Sequence, residues 1–203
     1  MKKTIKVLSI ILTLLILCSC GSTTNKTNTE PSPAPTNTNY DFRISNWGDS
    51  MESVIQKEGE PDYQFAETES IVYNDIELLS FNANLTYLFQ NNQLSSASYD
   101  IKDTHTNNQL YIDDYEKIKE ELNKKHGEPI NPDDEKWTGD LWKDDPGMAL
   151  MMSELSFSSV YTKEGKVSII HSLSCDNFEI KHYIYYYSPD YDPDYRTEVN
   201  NGL

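Results

Sequence analysis

The sequence predicts an α+β domain of two tandem units, each a helix followed by antiparallel strands, with both helices packed on one face of the sheet. Two observations predict this fold class. The tripeptide Gly-Glu-Pro occurs at 59–61 and again at 127–129, each time directly after a stretch with helical spacing of apolar residues. Short segments rich in β-branched and aromatic residues follow each tripeptide, and such segments favour strands. The repetition indicates an internal duplication rather than a long solenoid.

Residues 1–19 are predicted to be a lipoprotein signal peptide. Lysines at positions 2, 3 and 6 precede the apolar run Ile10–Leu17, which is far shorter than the roughly 20 residues that span a bilayer. Leu17–Cys20 resembles a bacterial lipobox, in which two small residues separate an apolar residue from a cysteine. The resemblance implies that Cys20 is diacylated and anchors the chain at the extracytoplasmic face of the cell membrane. The alternative is an ordinary cleaved signal with two incidental cysteines.

The segment 20–39 is predicted to be a disordered tether that begins at the lipidated cysteine. It contains Thr, Asn, Ser and Pro but no large apolar residue, so it cannot bury enough surface to offset its ordering entropy. The chain as a whole has a formal net charge of −16. This acidity argues against nucleic acid and against anionic lipid surfaces as partners.

The first helix is predicted to begin after Ser50, whose hydroxyl can cap it. Met51, Val54 and Ile55 then share one face at helical spacing. Gly59 is expected to end the helix with a positive φ, and the following Glu-Pro forces an extended exit.

The second helix is predicted to begin at Asp113 or Asp114 and to end at Gly127. Its apolar face consists of Tyr111, Tyr115, Ile118 and Leu122. Basic residues gather in its last turn, where the helix dipole favours positive charge.

Strands are predicted after each helix. They are expected at Ile71–Tyr73, Leu85–Phe89 and Leu94–Ile101 in the first unit, and at Trp137–Trp142, Leu155–Tyr161, Lys166–Leu173 and Phe178–Tyr187 in the second. Turns are expected at Asn91–Asn92, Glu164–Gly165 and Cys175–Asn177. The folded domain therefore covers 40–188, with units at about 42–103 and 111–188, and 189–203 is predicted to be an acidic flexible tail.

The stretch from Phe42 to Asp62 and the strand pair around Asn91–Asn92 resemble lipoproteins that share the fold of the β-lactamase inhibitor protein. The small outer-membrane-assembly lipoproteins of the SmpA/OmlA type are a shorter relative. The family motif maps onto Gly48, Ser50, Val54, Gly59 and Pro61, whereas Asp49 stands where the family has an apolar residue. The resemblance covers roughly 42–188 and implies a concave sheet that binds protein partners, with no catalytic residues.

The last predicted hairpin sorts its side chains into two faces. A loop of two or four residues places His171 and His182 on one face as direct or diagonal neighbours. Tyr183, Tyr185 and Tyr187 then alternate on the other face. Because tyrosine is enriched in protein interfaces, this face is predicted to bind a partner. The alternative to a binding face is that these tyrosines are present only because tyrosine favours strands.

No metal, cofactor or catalytic site is predicted. Two histidines are too few for a zinc site, and they are expected at the edge of the core. Asp190, Asp192 and Asp194 match three ligand positions of a calcium loop, but its required Gly and final Glu are replaced by Tyr195 and Asn201. The function predicted is therefore that of a non-enzymatic, membrane-anchored lipoprotein that binds a protein or a cell-envelope component. The alternative is a small-molecule or metal carrier whose ligand lies near the two histidines.

Overall fold

The structure is a computed structural model that describes residues 39–131 and 133–194. Eight strands of these residues form one antiparallel sheet. The strands are β1 Tyr63–Phe65, β2 Ser70–Leu78, β3 Phe81–Gln90, β4 Gln93–Ile101, β5 Glu135–Trp137, β6 Leu155–Lys163, β7 Lys166–Asp176 and β8 Glu179–Tyr187. The helices of the described residues are α1 Met51–Glu58, α2 Gln109–His126 and α3 Pro146–Met151. The predicted α+β class with an antiparallel sheet is confirmed.

The strand order is β1-β2-β3-β4-β8-β7-β6-β5, so the final strand of each half lies at the centre. There β4 and β8 pair antiparallel, with Ser98 opposite Tyr185. The two edges are the strands β1 and β5, and each has only three residues.

Two-residue turns join the long strands. Both turn residues have positive φ at Leu79–Ser80, Asn91–Asn92, Glu164–Gly165 and Asn177–Phe178. This is the backbone that a tight hairpin requires. The second and third turns were predicted. The prediction that Cys175 lies in a turn is wrong, because β7 continues through it to Asp176. Leu79–Ser80 went unpredicted because neither residue type favours positive φ.

The start of α1 was predicted correctly. The Ser50 hydroxyl accepts a hydrogen bond from the Ser53 amide at 3.2 Å. The helix ends at Gly59, whose amide donates to the Ile55 carbonyl at 2.8 Å. Gly59 has φ 96° and ψ −178°, and Gly127 at the end of α2 has φ 84° and ψ −177°. Both glycines therefore lie in a backbone region that is essentially restricted to glycine, outside the ordinary left-handed helical region.

Replacement of either glycine by alanine, Gly59→Ala or Gly127→Ala, is expected to reduce the free energy of unfolding by about 1–3 kcal/mol. An added Cβ meets no atom within 4 Å at either position, so the cost comes from the backbone alone. Urea denaturation followed by circular dichroism measures it. Glu60→Ala, at the exposed neighbour, is the control and should change the stability by less than about 0.5 kcal/mol. A glycine variant as stable as that control contradicts the assignment of these helix ends.

The predicted start of α2 at Asp113 or Asp114 is wrong, because the helix begins four residues earlier, at Gln109. The two aspartates form other contacts instead of capping. The Asp113 carboxylate accepts a hydrogen bond from the Gln109 side chain at 3.1 Å. The Asp114 carboxylate lies 2.5 Å from the His105 ring nitrogen. Acidic residues of the second turn thus resembled a cap in the sequence.

The predicted strand Trp137–Trp142 is wrong except for its first residue, because β5 is Glu135–Trp137 and a loop leads from Trp137 into α3. The Asp145 carboxylate caps α3 by accepting from the Met148 amide at 3.0 Å. Pro146 occupies the first helical position, where a missing N–H costs nothing. This Asp-Pro pair was the available signal for α3.

Buried side chains form two hydrophobic clusters. The first combines Val54 of α1 and Ile118 and Leu122 of α2 with strand residues such as Tyr87 and Ile184. The second consists of Ile112, Tyr115, Ala149, Leu150, Leu155, Phe157, Leu173 and Cys175. Strand residues that enter the clusters alternate with residues that do not, so the sheet has one buried face and one opposite face.

Candidate functional site

The hairpin of β7 and β8 has the predicted register. Leu173 pairs with His182, and His171 pairs with Ile184, so the two histidines are diagonal neighbours on the buried face. The turn has two residues, which keeps the faces as predicted. Tyr183, Tyr185 and Tyr187 therefore lie together on the opposite face.

We call this opposite side of the central strands the tyrosine face. It consists of Asn84, Thr86 and Leu88 of β3, Ser96, Ser98 and Asp100 of β4, Glu179, Lys181, Tyr183, Tyr185 and Tyr187 of β8, Ser168, Ile170, Ser172, Ser174 and Asp176 of β7, and Ser156, Ser158 and Val160 of β6. All of these residues are at least partly exposed. Its apolar members belong to neither hydrophobic cluster. The face is thus rich in hydroxyl groups and separate from the core.

The central part of the tyrosine face, around Ser98, Tyr185 and Tyr187, has no charged side chain. The charged members of the face, Asp100, Asp176, Glu179 and Lys181, lie toward the end that includes the β7–β8 turn, where Lys181 pairs with Glu179 at 2.6 Å. The chain as a whole carries 33 acidic and 17 basic residues. The central part of the face therefore lacks the electrostatic repulsion that the acidic surface elsewhere would present to an acidic partner.

The tyrosine rings form a ladder along β8. The ring centroids of Tyr183 and Tyr185 are 5.5 Å apart, and those of Tyr185 and Tyr187 are 6.3 Å apart. Tyr191 extends the ladder at 4.8 Å from Tyr187. Across the sheet, Tyr185 lies between Ser98 and Ile170, so one neighbour of the ladder is polar and the other is apolar.

The hydroxyls of Tyr185 and Tyr187 remain protonated at neutral pH. Burial raises the pKa of Tyr185, and burial together with the neighbouring Tyr191 raises the pKa of Tyr187 to about 12. Each hydroxyl can therefore donate one hydrogen bond and accept others. A ladder of this kind offers apolar ring area and polar tips without a net charge.

The residues after β8 lie against one end of this face. The Asp192 amide donates to the Gln90 side chain at 3.2 Å, and the Ser188 amide donates to the Ser95 carbonyl at 2.9 Å. The Lys166 ammonium donates to the Pro189 carbonyl at 2.7 Å. These contacts hold residues 188–192, so the part of the predicted tail 189–203 that the structure describes contacts the domain.

The two histidines lie deeper than expected. His171 and His182 are 0% and 2% exposed, which corrects the prediction that they lie at the edge of the core. Their Nε2 atoms are 2.9 Å apart, and the Tyr115 ring stacks on His171 at 4.2 Å. Neither ring is open to solvent. Among residues 39–131 and 133–194 no group of three His, Cys, Asp or Glu could hold a metal ion.

A buried polar network next to this pair was not predicted. The Asp134 carboxylate accepts hydrogen bonds from the hydroxyls of Tyr115 and Ser159, each at 2.9 Å, and its oxygen lies 2.6 Å from the Lys119 ammonium. Burial opposes the charged form of Asp134, but these three donors outweigh it and lower the pKa of the carboxyl. In the sequence, Asp133-Asp134 is only an acidic pair in a loop. The three partners of Asp134 lie at least 15 positions away from it along the chain.

The remaining predicted residues have separate positions. Cys20 lies outside the described residues. Cys175 is buried in the second cluster, and its thiol donates to the Met151 carbonyl at 3.4 Å. Burial raises the pKa of this thiol, as expected for a packing residue. Within the described part of the chain, no helix combines the length and the apolarity needed to cross a membrane.

Comparison with family models, with curated proteins and with solved structures yields no match for this chain.

Proposed function

We propose that this protein is a non-enzymatic lipoprotein, anchored at the extracytoplasmic face of the cell membrane, that binds a protein partner through its tyrosine face. The observation that carries the proposal is a ladder of tyrosines on the part of this face that has no charged side chain, in a strongly acidic chain. Depletion of charge together with enrichment in tyrosine distinguishes interface cores from ordinary protein surface. Tyrosine is also a frequent hot-spot residue because it combines large contact area with a polar tip.

The fold is consistent with a duplicated domain similar to the β-lactamase inhibitor protein. Each half has a helix that ends at a glycine with positive φ, then a three-residue edge strand, then three long strands joined by two-residue turns. The strand order reads the same from both edges toward the β4–β8 pair. We propose that the helices of both units cover the buried face, which leaves the tyrosine face available to a partner.

The anchor depends on Cys20 and is tested separately. Lipidated protein partitions into the detergent phase of a phase-separating detergent, whereas Cys20→Ser is expected to remain in the aqueous phase. Mass spectrometry of the mature N-terminus then identifies the acyl groups. Detergent-phase partitioning of Cys20→Ser contradicts the anchor.

Photo-crosslinking tests the binding face. With p-benzoylphenylalanine in place of Tyr185, illumination of intact cells is expected to join the protein to a specific partner band, which mass spectrometry then identifies. The control places the same group at Leu141 in the loop between β5 and α3, which is 78% exposed and outside the sheet. The band should be absent there.

A partner that crosslinks from Leu141 but not from Tyr185 contradicts the proposed face. A second variant, Tyr185→Ser, should reduce co-purification of the identified partner at least about tenfold, because hot-spot truncations cost about 2 kcal/mol or more. Serine already lies directly opposite Tyr185 at Ser98, so the sheet itself should remain folded.

A further inference from the structure

A positively charged pocket, in a chain whose net charge is negative, lies at the end of the sheet where α2 ends. It is formed by the last turn of α2, the β6–β7 turn, the end of β8 and Trp47, and its volume is about 340 Å³. Its apolar wall includes Trp47, Ile169 and Tyr186. Its charged and titratable lining consists of Lys125, His126, Lys163 and Lys166 against a single acid, Asp41.

This concentration of positive charge is unusual for the chain, which has almost twice as many acidic as basic residues. Lys125 and Lys163 form no ion pair with any of the described residues. Lys124, the direct neighbour of Lys125, pairs with both Glu120 and Glu121. The lysines of the pocket are therefore left unneutralised while a lysine one position away is not.

The helix dipole explains only part of the cluster. Lys125 and His126 lie in the last turn of α2, where positive charge is favourable. Lys163 and Lys166 come from a different element and pair directly opposite each other in the β6–β7 hairpin. Like charges in such a pair destabilise a hairpin. An anion bound between them removes that repulsion.

The single acidic residue of the pocket, Asp41, already accepts a hydrogen bond within the protein. The Asp41 carboxylate accepts a hydrogen bond from the Trp47 amide at 3.2 Å, which fixes it at the turn before α1. Lys166 donates to the Pro189 carbonyl, which satisfies one of its three N–H groups. Lys125 and Lys163 keep all of theirs for a ligand.

We propose that this pocket binds an organic anion with a flat apolar part, and that Lys125 and Lys163 bind its carboxylate, phosphate or sulfonate group while the ring lies against Trp47 and Tyr186. The neutral imidazole of His126 can add one hydrogen bond, because burial and the two lysines lower its pKa. Tyr187 of the tyrosine face also lines this pocket, whereas Tyr185, where the partner contact is tested, does not.

Fluorescence titration with 1-anilinonaphthalene-8-sulfonate tests the proposal, with the uncharged N-phenyl-1-naphthylamine as the matched probe. The sulfonate is expected to bind at least about tenfold more tightly than the uncharged probe, since bonds to charged groups are the strong ones. Its affinity should fall as salt is raised from 20 to 500 mM. Energy transfer from tryptophan should accompany binding, because Trp47 lines the pocket.

Variants locate the site. The double variant Lys125→Gln/Lys163→Gln is expected to weaken sulfonate binding about tenfold or more and to leave the uncharged probe unaffected. The control Lys124→Gln/Lys136→Gln removes the same charge outside the pocket and should bind like the wild type. Equal binding of both probes, equal loss in the two double variants, or no sulfonate binding at millimolar concentration overturns the proposal.

A second measurement needs no bound probe. In a Trp137→Phe/Trp142→Phe background, iodide is expected to quench the remaining Trp47 more strongly than neutral acrylamide does at low salt. The excess should disappear in the Lys125→Gln/Lys163→Gln variant while acrylamide quenching stays the same. An unchanged iodide-to-acrylamide ratio contradicts the positive potential on which the site depends.

Discussion

Lowering the pH from 7 to 5 is expected to reduce the free energy of unfolding by about 2–4 kcal/mol through the buried histidine pair. Burial lowers the pKa of His182 to about 4. Burial, then the proximity of His182 and Lys119, also lowers the pKa of His171 well below its ordinary value. The folded protein therefore keeps both rings neutral where the unfolded chain protonates them.

The loss of stability on acidification follows from proton binding by the unfolded chain. Because the folded pKa values lie below the unfolded value of 6.5, the stability is fully present above pH 6.5 and falls as the pH decreases toward the folded values. Between its folded and unfolded pKa values, each histidine lowers the free energy of unfolding by up to about 1.4 kcal/mol for each pH unit of acidification. The His171 Nδ1 atom has no hydrogen-bond partner in the structure, so no acceptor stands ready for a second proton on this ring.

Urea denaturation at a series of pH values between 7 and 5 measures the effect. The variant His171→Leu/His182→Leu should lose most of the pH dependence, whatever its stability at pH 7. His126→Gln removes a more exposed histidine whose pKa is also lowered, so it should reduce the pH dependence less than the double variant does. A double variant with the same slope as the wild type contradicts the assignment to this pair.

Removal of the Asp134 side chain is expected to destabilise the protein by about 2–4 kcal/mol. Asp134→Ala leaves the largely buried Lys119 ammonium without its nearest carboxylate. It also takes an acceptor from the hydroxyls of Tyr115 and Ser159, which keep only each other at 2.7 Å. A buried charge and two buried hydroxyls thus lose their partner in one change.

Two further variants define the origin of this loss. Asp133→Ala removes the adjacent exposed carboxylate and should change the stability by less than about 0.5 kcal/mol. Asp134→Asn keeps an acceptor without the charge and should fall between the wild type and alanine. Because the folded pKa of Asp134 lies below its unfolded value of 3.8, the difference between aspartate and asparagine should shrink as the pH falls below about 4. Equal stability of Asp134→Ala and Asp133→Ala contradicts the network.

Sequence periodicity was sufficient for the hairpin that carries the tyrosine face. Alternation in β7 and β8 fixes which residues share a side, and an even loop keeps that assignment. Gly59 and Gly127 were identified by chemistry, since a glycine before Glu-Pro ends a helix. The predicted boundaries of helices and strands were less accurate, as at Asp113 and Asp114. The residue types that cap a helix also bind side chains within its first turns.

The long-range polar contacts were beyond sequence reasoning. Asp134 meets Tyr115 and Ser159 only because a helix and a strand bring them together, and nothing in the spacing of the three residues indicates it. The same holds for the pocket that joins Trp47 to Lys125 and Lys163. Pattern reveals which side of an element a residue occupies, whereas packing decides which distant residue it meets.

The short edge strands restrict how any other chain can engage the sheet. Strand addition requires a long row of unpaired backbone N–H and C=O groups at an edge. At three residues each, β1 and β5 offer room for very few such bonds, and Pro61 stands just before β1. The sheet is therefore poorly suited to backbone-templated growth, whether by a partner strand or by another copy in a fibril. In our proposal, recognition of the partner therefore proceeds through side chains, where sequence can specify the partner.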